Sequence, residues 1–142
     1  MSRVQLALNV DNLDLAIVFY AKLLGVEPAK RHQGYANFAL SDPPLKLVLL
    51  ENPGKGGTLN HLGVEVDSTD EVEIHQTRLT NEGLLPEEEK NTICCYALQD
   101  KFWVTAPDDE RWEYYVVLAD TDTLNTTSTV ERQDGGTCCS AQ

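Results

Sequence analysis

The chain is poor in positive charge, in long apolar runs and in any feature of a targeting segment. Its 142 residues carry 11 Lys and Arg against 23 Asp and Glu, a formal net charge of -12. Because nucleic acids and anionic membrane surfaces are bound largely through basic residues, this balance argues against both as partners. No apolar run approaches a transmembrane length, and residues 1–3, MSR, lead straight into an alternating segment, so we expect no signal peptide.

The four cysteines form two adjacent pairs, Cys94-Cys95 and Cys138-Cys139, which is not the pattern of an extracellular disulfide framework. We therefore expect a cytoplasmic protein, since a reducing compartment keeps thiols available for a ligand. A composition with 42% hydrophobic and 24% charged residues predicts a globular chain that folds without covalent cross-links.

The most informative pattern is an internal repeat. Residues 5–11, QLALNVD, align without a gap with residues 61–67, HLGVEVD, an offset of 56 residues from position 5 to position 61. Both segments alternate as strands do, and each is followed by an amphipathic helix that ends near a glycine, Gly25 in the first copy and Gly83 in the second. The sequence therefore contains a duplication.

Shorter apolar segments complete each copy. Strands are predicted at residues 28–33, 35–40, 45–51, 102–105 and 112–118, with a turn-rich linker at 52–57 and a less regular stretch through Cys94-Cys95. The pattern predicts an α+β fold of duplicated βαβββ modules, residues 1–57 and 58–119, that share one domain. Residues 120–142 are predicted to be a flexible, cysteine-containing tail, because they have few large apolar side chains.

Three polar residues are candidate metal ligands. Gln5 and His61 occupy equivalent positions of the two opening strands, and Glu113 lies in an otherwise apolar strand where an unpaired charge is costly. Each also has an ordinary explanation, as an exposed strand glutamine, a hydrogen-bonded histidine and a solvated carboxylate. One amide oxygen, one imidazole and one carboxylate are similar to the facial triad of Fe(II) oxygenases, although Zn(II) also accepts such ligands.

The adjacent residues Cys94 and Cys95 are a candidate binding site for a soft, thiophilic centre. A single cysteine most often behaves as a small buried hydrophobe. Neighbouring strand residues point to opposite faces, however, so the pair is expected in a loop or at a strand end. Two neighbouring sulfurs can bind one trivalent arsenic that carries a single carbon substituent. Cys138 and Cys139 are either incidental or involved in capture of the same ligand.

The duplicated modules, with candidate ligands on the opening strands and on the strand around residues 107–115, PDDERWEYY, resemble the vicinal oxygen chelate superfamily of glyoxalases, bleomycin-resistance proteins and extradiol dioxygenases. Within this superfamily, the chain resembles organoarsenical carbon-arsenic lyases and cadmium-induced proteins in five segments: VQLALNV, GYANFAL, PPLKLVLLENPG, GGTLNHLGVEV and CCYALQDK. The turn at 107–110 lacks the glycine common in the wider superfamily.

The resemblance implies an Fe(II)- and O2-dependent enzyme that converts trivalent organoarsenicals, such as methylarsenite and reduced aromatic arsenicals, to arsenite. It assigns Gln5, His61 and Glu113 to iron, and Cys94 and Cys95 to the arsenical. Two alternatives remain: a non-enzymatic cadmium- or arsenic-sequestering protein and a glyoxalase-like isomerase. The sequence leaves open whether the chain forms a homodimer. Five aromatic residues are candidate pocket walls or core: Tyr35, Phe38, Tyr96, Phe102 and Trp103.

Overall fold

A computed structural model describes residues 2–121. Over this range the chain forms ten elements: β1 (Arg3–Val10), α1 (Leu13–Leu24), β2 (Lys30–His32), β3 (Tyr35–Ser41), β4 (Pro44–Glu51), β5 (Leu59–Glu65), α2 (Thr69–Asn81), β6 (Glu87–Cys94), β7 (Ala97–Thr105) and β8 (Arg111–Asp120). The predicted duplication is confirmed, because both halves run strand, helix and then three strands. No helix in the described range is long and apolar enough to cross a membrane.

The chain divides into two compact units at the Leu62/Gly63 boundary, inside β5. The first unit comprises residues 3–62, and the second begins at Gly63. Of the predicted tail, only Asp120 and Thr121 are described. Cys138 and Cys139 lie outside the described residues.

The first unit begins as the sequence predicts. Asn12 caps α1 by accepting a hydrogen bond from the Leu15 amide at 3.1 Å, and Gly25 ends the helix in the left-handed conformation with φ 72°. The helix packs its buried face against one side of β3 and β4. This side of the sheet forms a core of Leu13, Ile17, Ala36, Phe38, Leu47 and Leu49.

The opposite face of the same sheet is also buried. The strand order is β2-β3-β4-β1, with β1 parallel to β4, and Gln5, Ala7 and Asn9 of β1 are all buried. Burial of a polar side chain is costly unless it is hydrogen-bonded. The polar residues of this face are therefore part of an organised interior.

The turn-rich segment at residues 52–57 connects β4 to β5, as predicted, and is held against β1. The Gly57 amide donates to the Asn9 carbonyl at 3.0 Å, and the Asn9 amide donates to the Thr58 carbonyl at 2.9 Å. Glu51, at the end of β4, accepts a hydrogen bond from the Leu13 amide at 2.9 Å. Its carboxylate thereby satisfies a donor at the start of α1, where negative charge is favourable.

The second unit has the strand order β8-β7-β6, with antiparallel pairing throughout. Ser68 caps α2 by accepting from the Glu71 amide at 3.1 Å, and the Glu71 carboxylate accepts from the amide of Asp67, the residue before the cap, at 2.7 Å. The helix side of this sheet carries its own core of Val66, Val72, Phe102 and Val116.

The stretch through the cysteines is more regular than the sequence indicated. β6 and β7 form a hairpin in which Cys94 pairs with Ala97, and β7 begins at Ala97 rather than near residue 102. A bulge interrupts β6 between Glu89 and Thr92, where Asn91 adopts φ 48° and its amide donates to the Asp100 carboxylate at 2.7 Å. The cross-strand ladder therefore overrides a weak local pattern.

Candidate functional site

The first unit brings two of the candidate ligands together. Gln5 on β1 and His61 on β5 are each 3% exposed, and the Nε2 atoms of the two side chains are 3.2 Å apart. They meet because equivalent positions of the two opening strands direct both side chains to the face opposite the helix, as the strand alternation indicates. The amide nitrogen of Gln5 cannot bind a cation, so Gln5 would bind one through its amide oxygen and His61 through Nε2.

The His61 ring is also held from its other side. Its Nδ1 atom lies 2.7 Å from the Asn60 carboxamide oxygen. An acceptor at Nδ1 favours the neutral form that has its proton there and leaves a lone pair on Nε2. The ring atom that faces Gln5 is therefore the atom able to bind a metal.

The third candidate ligand, Glu113, is in the second unit and is 2% exposed. Its Oε1 atom is 2.7 Å from the ammonium nitrogen of Lys101, which is 1% exposed. The Lys101 nitrogen also lies 5.4 Å from the centre of the Trp103 ring and 5.8 Å from that of Tyr115. The sequence showed that a charge on this strand needs a partner, and the structure identifies Lys101 as one.

Sequence reasoning missed Lys101 as a site residue. The available signal was a lysine directly before the apolar run Phe102-Trp103-Val104 of the predicted strand. The sequence did not indicate that the two charges meet, since Lys101 is opposite Tyr115 in the ladder and contacts Glu113 diagonally.

The two cysteines lie at the tip of the β6-β7 hairpin. Cys94 is the last residue of β6, and Cys95 with Tyr96 forms the two-residue connection, with φ 54° and 61°. The location at a strand end agrees with expectation. The turn also explains how both side chains are buried, because a left-handed residue leaves the alternation of the strand.

The sulfur atoms of Cys94 and Cys95 are 3.3 Å apart, which exceeds the length of about 2.05 Å of a disulfide bond. The two sulfurs are therefore not joined to each other, and neither cysteine is a free thiol in this structure. The Gln99 side-chain amide donates to the Cys94 carbonyl at 3.0 Å and so supports the tip of the hairpin. The cross-strand partner of Cys94, Ala97, is on the same face of β7 as Lys101, so this face of the second unit carries both sulfur and charge.

The aromatic residues separate into two classes. Phe38 and Phe102 belong to the two helix-side cores, which confirms the core alternative for both residues. Tyr35 is on the opposite face of the first sheet, where its hydroxyl accepts a hydrogen bond from the Asn37 side chain at 2.9 Å. Trp103 is on the face of β7 that carries Lys101, and its ring nitrogen donates to Glu89 at 3.1 Å.

The donor chemistry of the candidate set suits a divalent transition metal. An amide oxygen, an imidazole nitrogen and a carboxylate supply two neutral ligands and one negative charge, and they leave coordination positions open. Within residues 2–121, no three side chains drawn from His, Cys, Asp and Glu form a metal cluster. The candidate set contains only two residues of those types, His61 and Glu113, and depends on Gln5 for its third ligand.

A family model described as the Glyoxalase/Bleomycin resistance protein/Dioxygenase superfamily matches residues 3–114. The chain belongs to this superfamily. Solved members include the Mn(II)-bound glyoxalase from Novosphingobium aromaticivorans, with a TM-score of 0.61 and 18% identity over 95% of this chain and 45% of that one. An extradiol ring-cleaving dioxygenase from B. fuscum has a TM-score of 0.59 and 17% identity over 84% and 34% of the two chains. At these identities the likeness establishes the fold.

Much more similar sequences exist within the superfamily. The cadmium-induced protein CadI of Mycobacterium tuberculosis is 60% identical over 100% of this chain and 95% of its own length. The trivalent organoarsenical cleaving enzyme of Thermomonospora curvata is 53% identical over 98% and 89% of the two chains. A trivalent organoarsenical cleaving enzyme from a Bacillus species is 45% identical over 81% and 73%. This superfamily member is thus similar both to an enzyme group and to a protein named for its response to cadmium.

In this protein, residues 107–110 form a turn without a glycine. Asp109 takes φ 73°, and the turn closes through hydrogen bonds from the Asp109 amide to the Ala106 carbonyl at 3.0 Å and from the Ala106 amide to the Glu110 carbonyl at 2.8 Å. Aspartate tolerates this conformation better than most residues, because its short polar side chain can bond locally.

Proposed function

We propose that this protein is a non-haem Fe(II)- and O2-dependent carbon-arsenic lyase that converts trivalent organoarsenicals to arsenite. The observation that carries the proposal is the buried, adjacent pair Cys94-Cys95, with sulfur atoms 3.3 Å apart, in a chain 53% identical to a trivalent organoarsenical cleaving enzyme. Paired thiolates select soft centres, and an arsenic with one organic substituent offers two positions to sulfur.

The cysteines would bind and orient the substrate in their reduced form. The hairpin holds the two sulfurs close enough for one arsenic atom to bond both, so little further ordering is needed on binding. A dithiolate also fixes the direction of the remaining arsenic-carbon bond, because two of the bonds to arsenic are then held by the protein. Positioning of this kind lowers the barrier of a later step by making it intramolecular.

Gln5, His61 and Glu113 would hold the iron, and bound Fe(II) supplies the capacity to activate O2. His61 contributes a nitrogen lone pair from a ring held by Asn60, and Glu113 contributes the negative charge. Lys101 would hold the Glu113 carboxylate in place through their ion pair at 2.7 Å. We propose a cytoplasmic location, where thiols remain reduced.

A second function is favoured by a specific finding, the 60% identity to a cadmium-induced protein. In that case Cys94 and Cys95 would sequester a soft metal or metalloid without turnover, and Gln5, His61 and Glu113 would be structural. The two functions differ in whether a bound organoarsenical is changed.

The deciding experiment measures arsenite release from methylarsenite by reduced protein purified anaerobically and loaded with Fe(II), with and without O2. Release that requires both iron and oxygen is the expected result. Stoichiometric binding without release under any condition would refute the lyase and support sequestration. Release without oxygen would refute the proposed cofactor requirement.

Two variants separate the proposed roles. We expect Cys95→Ser to weaken methylarsenite binding on the order of 100-fold, because the second sulfur of a chelate binds intramolecularly, while Fe(II) binding is retained. We expect Glu113→Gln, which keeps the shape of the side chain, to weaken Fe(II) binding and retain binding of methylarsenite. Binding titrations with each ligand measure both effects. Turnover by Cys95→Ser at the wild-type rate would contradict the assignment of the cysteines.

A further inference from the structure

A series of side-chain hydrogen bonds in the first unit begins at a backbone carbonyl, whose role as a hydrogen-bond acceptor is fixed. The Lys55 backbone carbonyl can only accept, and the Thr58 hydroxyl lies 2.6 Å from it and therefore donates. The hydroxyl oxygen then accepts from the next group in the chain, the Asn9 carboxamide nitrogen at 2.9 Å. The orientation of the Asn9 amide follows, with its nitrogen toward Thr58 and its oxygen away.

The same reasoning fixes Asn60. The Asn9 oxygen accepts from the Asn60 side-chain nitrogen at 3.1 Å and from the Asn52 side-chain nitrogen at 3.4 Å. Since the Asn60 nitrogen is used in this contact, its oxygen is the atom that faces His61 Nδ1 at 2.7 Å. An amide oxygen can only accept, so Nδ1 must carry a proton.

The turn at residues 52–58 anchors the chain of bonds. The Lys55 amide donates to the Asn52 carbonyl at 3.0 Å, and the Thr58 amide donates to the Lys55 carbonyl at 3.1 Å. Its glycines also contribute, because the Gly54 and Gly56 amides both donate to the Asp11 carboxylate, at 2.8 and 3.0 Å. A Cβ at Gly56 would lie 2.6 Å from that carboxylate, so the turn leaves no room for one. Backbone hydrogen bonds of the turn therefore hold Lys55 and Thr58 in place, where the series of side-chain hydrogen bonds to Asn9 begins.

We propose that Asn9 and Asn60 are positioning residues that hold His61 in the Nδ1-protonated form, so that Nε2 is the metal-binding atom before any metal arrives. The tautomer follows from the hydrogen bonds alone, and its use for a metal rests on the proposed function. Ligating histidines depend strongly on the partner of their second nitrogen, and loss of such a partner costs about 10- to 100-fold in metal affinity.

The second unit contains a contrasting histidine. The His75 Nδ1 atom is 3.3 Å from an Arg78 guanidinium nitrogen, which can only donate. His75 must therefore accept at Nδ1, and its neutral form has the proton on Nε2. One protein thus holds opposite tautomers at His61 and His75, each determined by its neighbour, and His75 serves as an internal reference.

The experiment is a nitrogen-15 NMR measurement of imidazole tautomers in the metal-free, reduced protein near pH 8, well above the ordinary histidine pKa of about 6.5. The expected result is Nδ1 protonation at His61 and Nε2 protonation at His75. Asn60→Leu, which removes the acceptor but keeps the bulk, should shift His61 toward the Nε2-protonated form and leave the His75 signals unchanged. Thr58→Val, which removes only the hydroxyl at the far end of the chain, should shift His61 in the same direction to a smaller extent.

A second readout is the affinity for Fe(II), titrated anaerobically without substrate. We expect about 10- to 100-fold weaker binding by Asn60→Leu and a smaller loss by Thr58→Val. Nε2 protonation of His61 in the wild type, or an unchanged tautomer in Asn60→Leu that has retained its His75 signals, would overturn the proposal. Failure of the proposed function is distinguishable, because it would abolish arsenite release or Fe(II) binding while the NMR result for His61 stood.

Discussion

The two modules close equivalent hairpins with different residues. In the first, Gln33-Gly34 joins β2 to β3, and Gly34 supplies the positive φ of 74°. In the second, Cys95-Tyr96 joins β6 to β7, and both residues adopt positive φ although neither is a glycine. Two-residue hairpins of this second kind strongly prefer Asn-Gly or Gly-Gly, so the cysteine turn departs from the favoured chemistry.

The contrast extends beyond the hairpins. Within residues 2–121, the non-glycine residues with positive φ all follow Gly63, and they are Asn91, Cys95, Tyr96 and Asp109. Each such residue costs on the order of 1–3 kcal/mol that the surrounding structure must offset. The second unit also contains the buried Lys101-Glu113 pair, whereas the Gln5-His61 pair of the first unit involves a neutral amide. The first unit buries Lys46, at 8% exposure, whereas the second buries Asp100, Lys101 and Glu113, so backbone strain and buried charge are greater in the unit that carries the cysteines.

The largest expected effect tests the buried charges. Lys101→Met should destabilise the metal-free protein by about 3–5 kcal/mol, because it leaves the Glu113 carboxylate buried without its cation. Urea denaturation measures the loss, and the double variant Lys101→Met/Glu113→Leu should recover most of it. If the single variant lost less than about 1 kcal/mol, the buried ion pair would contribute no more to the free energy of unfolding than an exposed one, and the contrast in charge between the two units would not affect stability.

A glycine substitution tests the unstrained hairpin. A Cβ at Gly34 would meet no atom within 4 Å, so Gly34→Ala changes only the backbone preference at φ 74°. We expect a loss of about 1–2 kcal/mol in the free energy of unfolding, the usual cost of a left-handed residue with a Cβ. An unchanged midpoint in urea would show that this conformation carries no measurable penalty in this protein.

The reverse substitution in the second unit should have the opposite sign. Asp109 is exposed and adopts φ 73°, nearly the value at Gly34, so Asp109→Gly relieves strain without removing core packing. We expect a gain of up to about 1 kcal/mol by thermal or urea unfolding. A loss of stability would mean that the aspartate side chain contributes more to the turn than its backbone conformation costs.

The smallest effect concerns an exposed ion pair in the same unit as the buried one. Lys90 donates to Glu73 at 2.9 Å and is 38% exposed, and this hydrogen bond raises the pKa of Lys90 above its ordinary value of 10.5. Lys90→Met should cost about 0.2–1 kcal/mol and less at high salt. Because the folded pKa is raised, the contribution is complete below pH 10.5 and falls as the pH rises through the folded value. A loss comparable to that of Lys101→Met would contradict the distinction between exposed and buried pairs.

Several features of the fold could be predicted from local sequence. The caps Asn12 and Ser68 and the termination of α1 at Gly25 involve residues a few positions apart, where propensity and periodicity act directly. The repeat that relates Gln5 to His61 could be predicted because the same pattern recurs along the chain. The β6-β7 hairpin was missed for the same reason. Cys95-Tyr96 has none of the residues that identify a tight turn, so its conformation is imposed by the strands on either side.

The sequence by itself determined the duplicated strand-helix-strand order, the adjacency of Cys94 and Cys95, and the equivalent placement of Gln5 and His61, because each is a matter of spacing along one chain. Only the tertiary structure decided that Lys101 is a partner of Glu113 and that Asn9 orients Asn60 toward His61. Those contacts depend on strand register, and register is set by turns, bulges and the burial of whole faces rather than by any neighbouring residue.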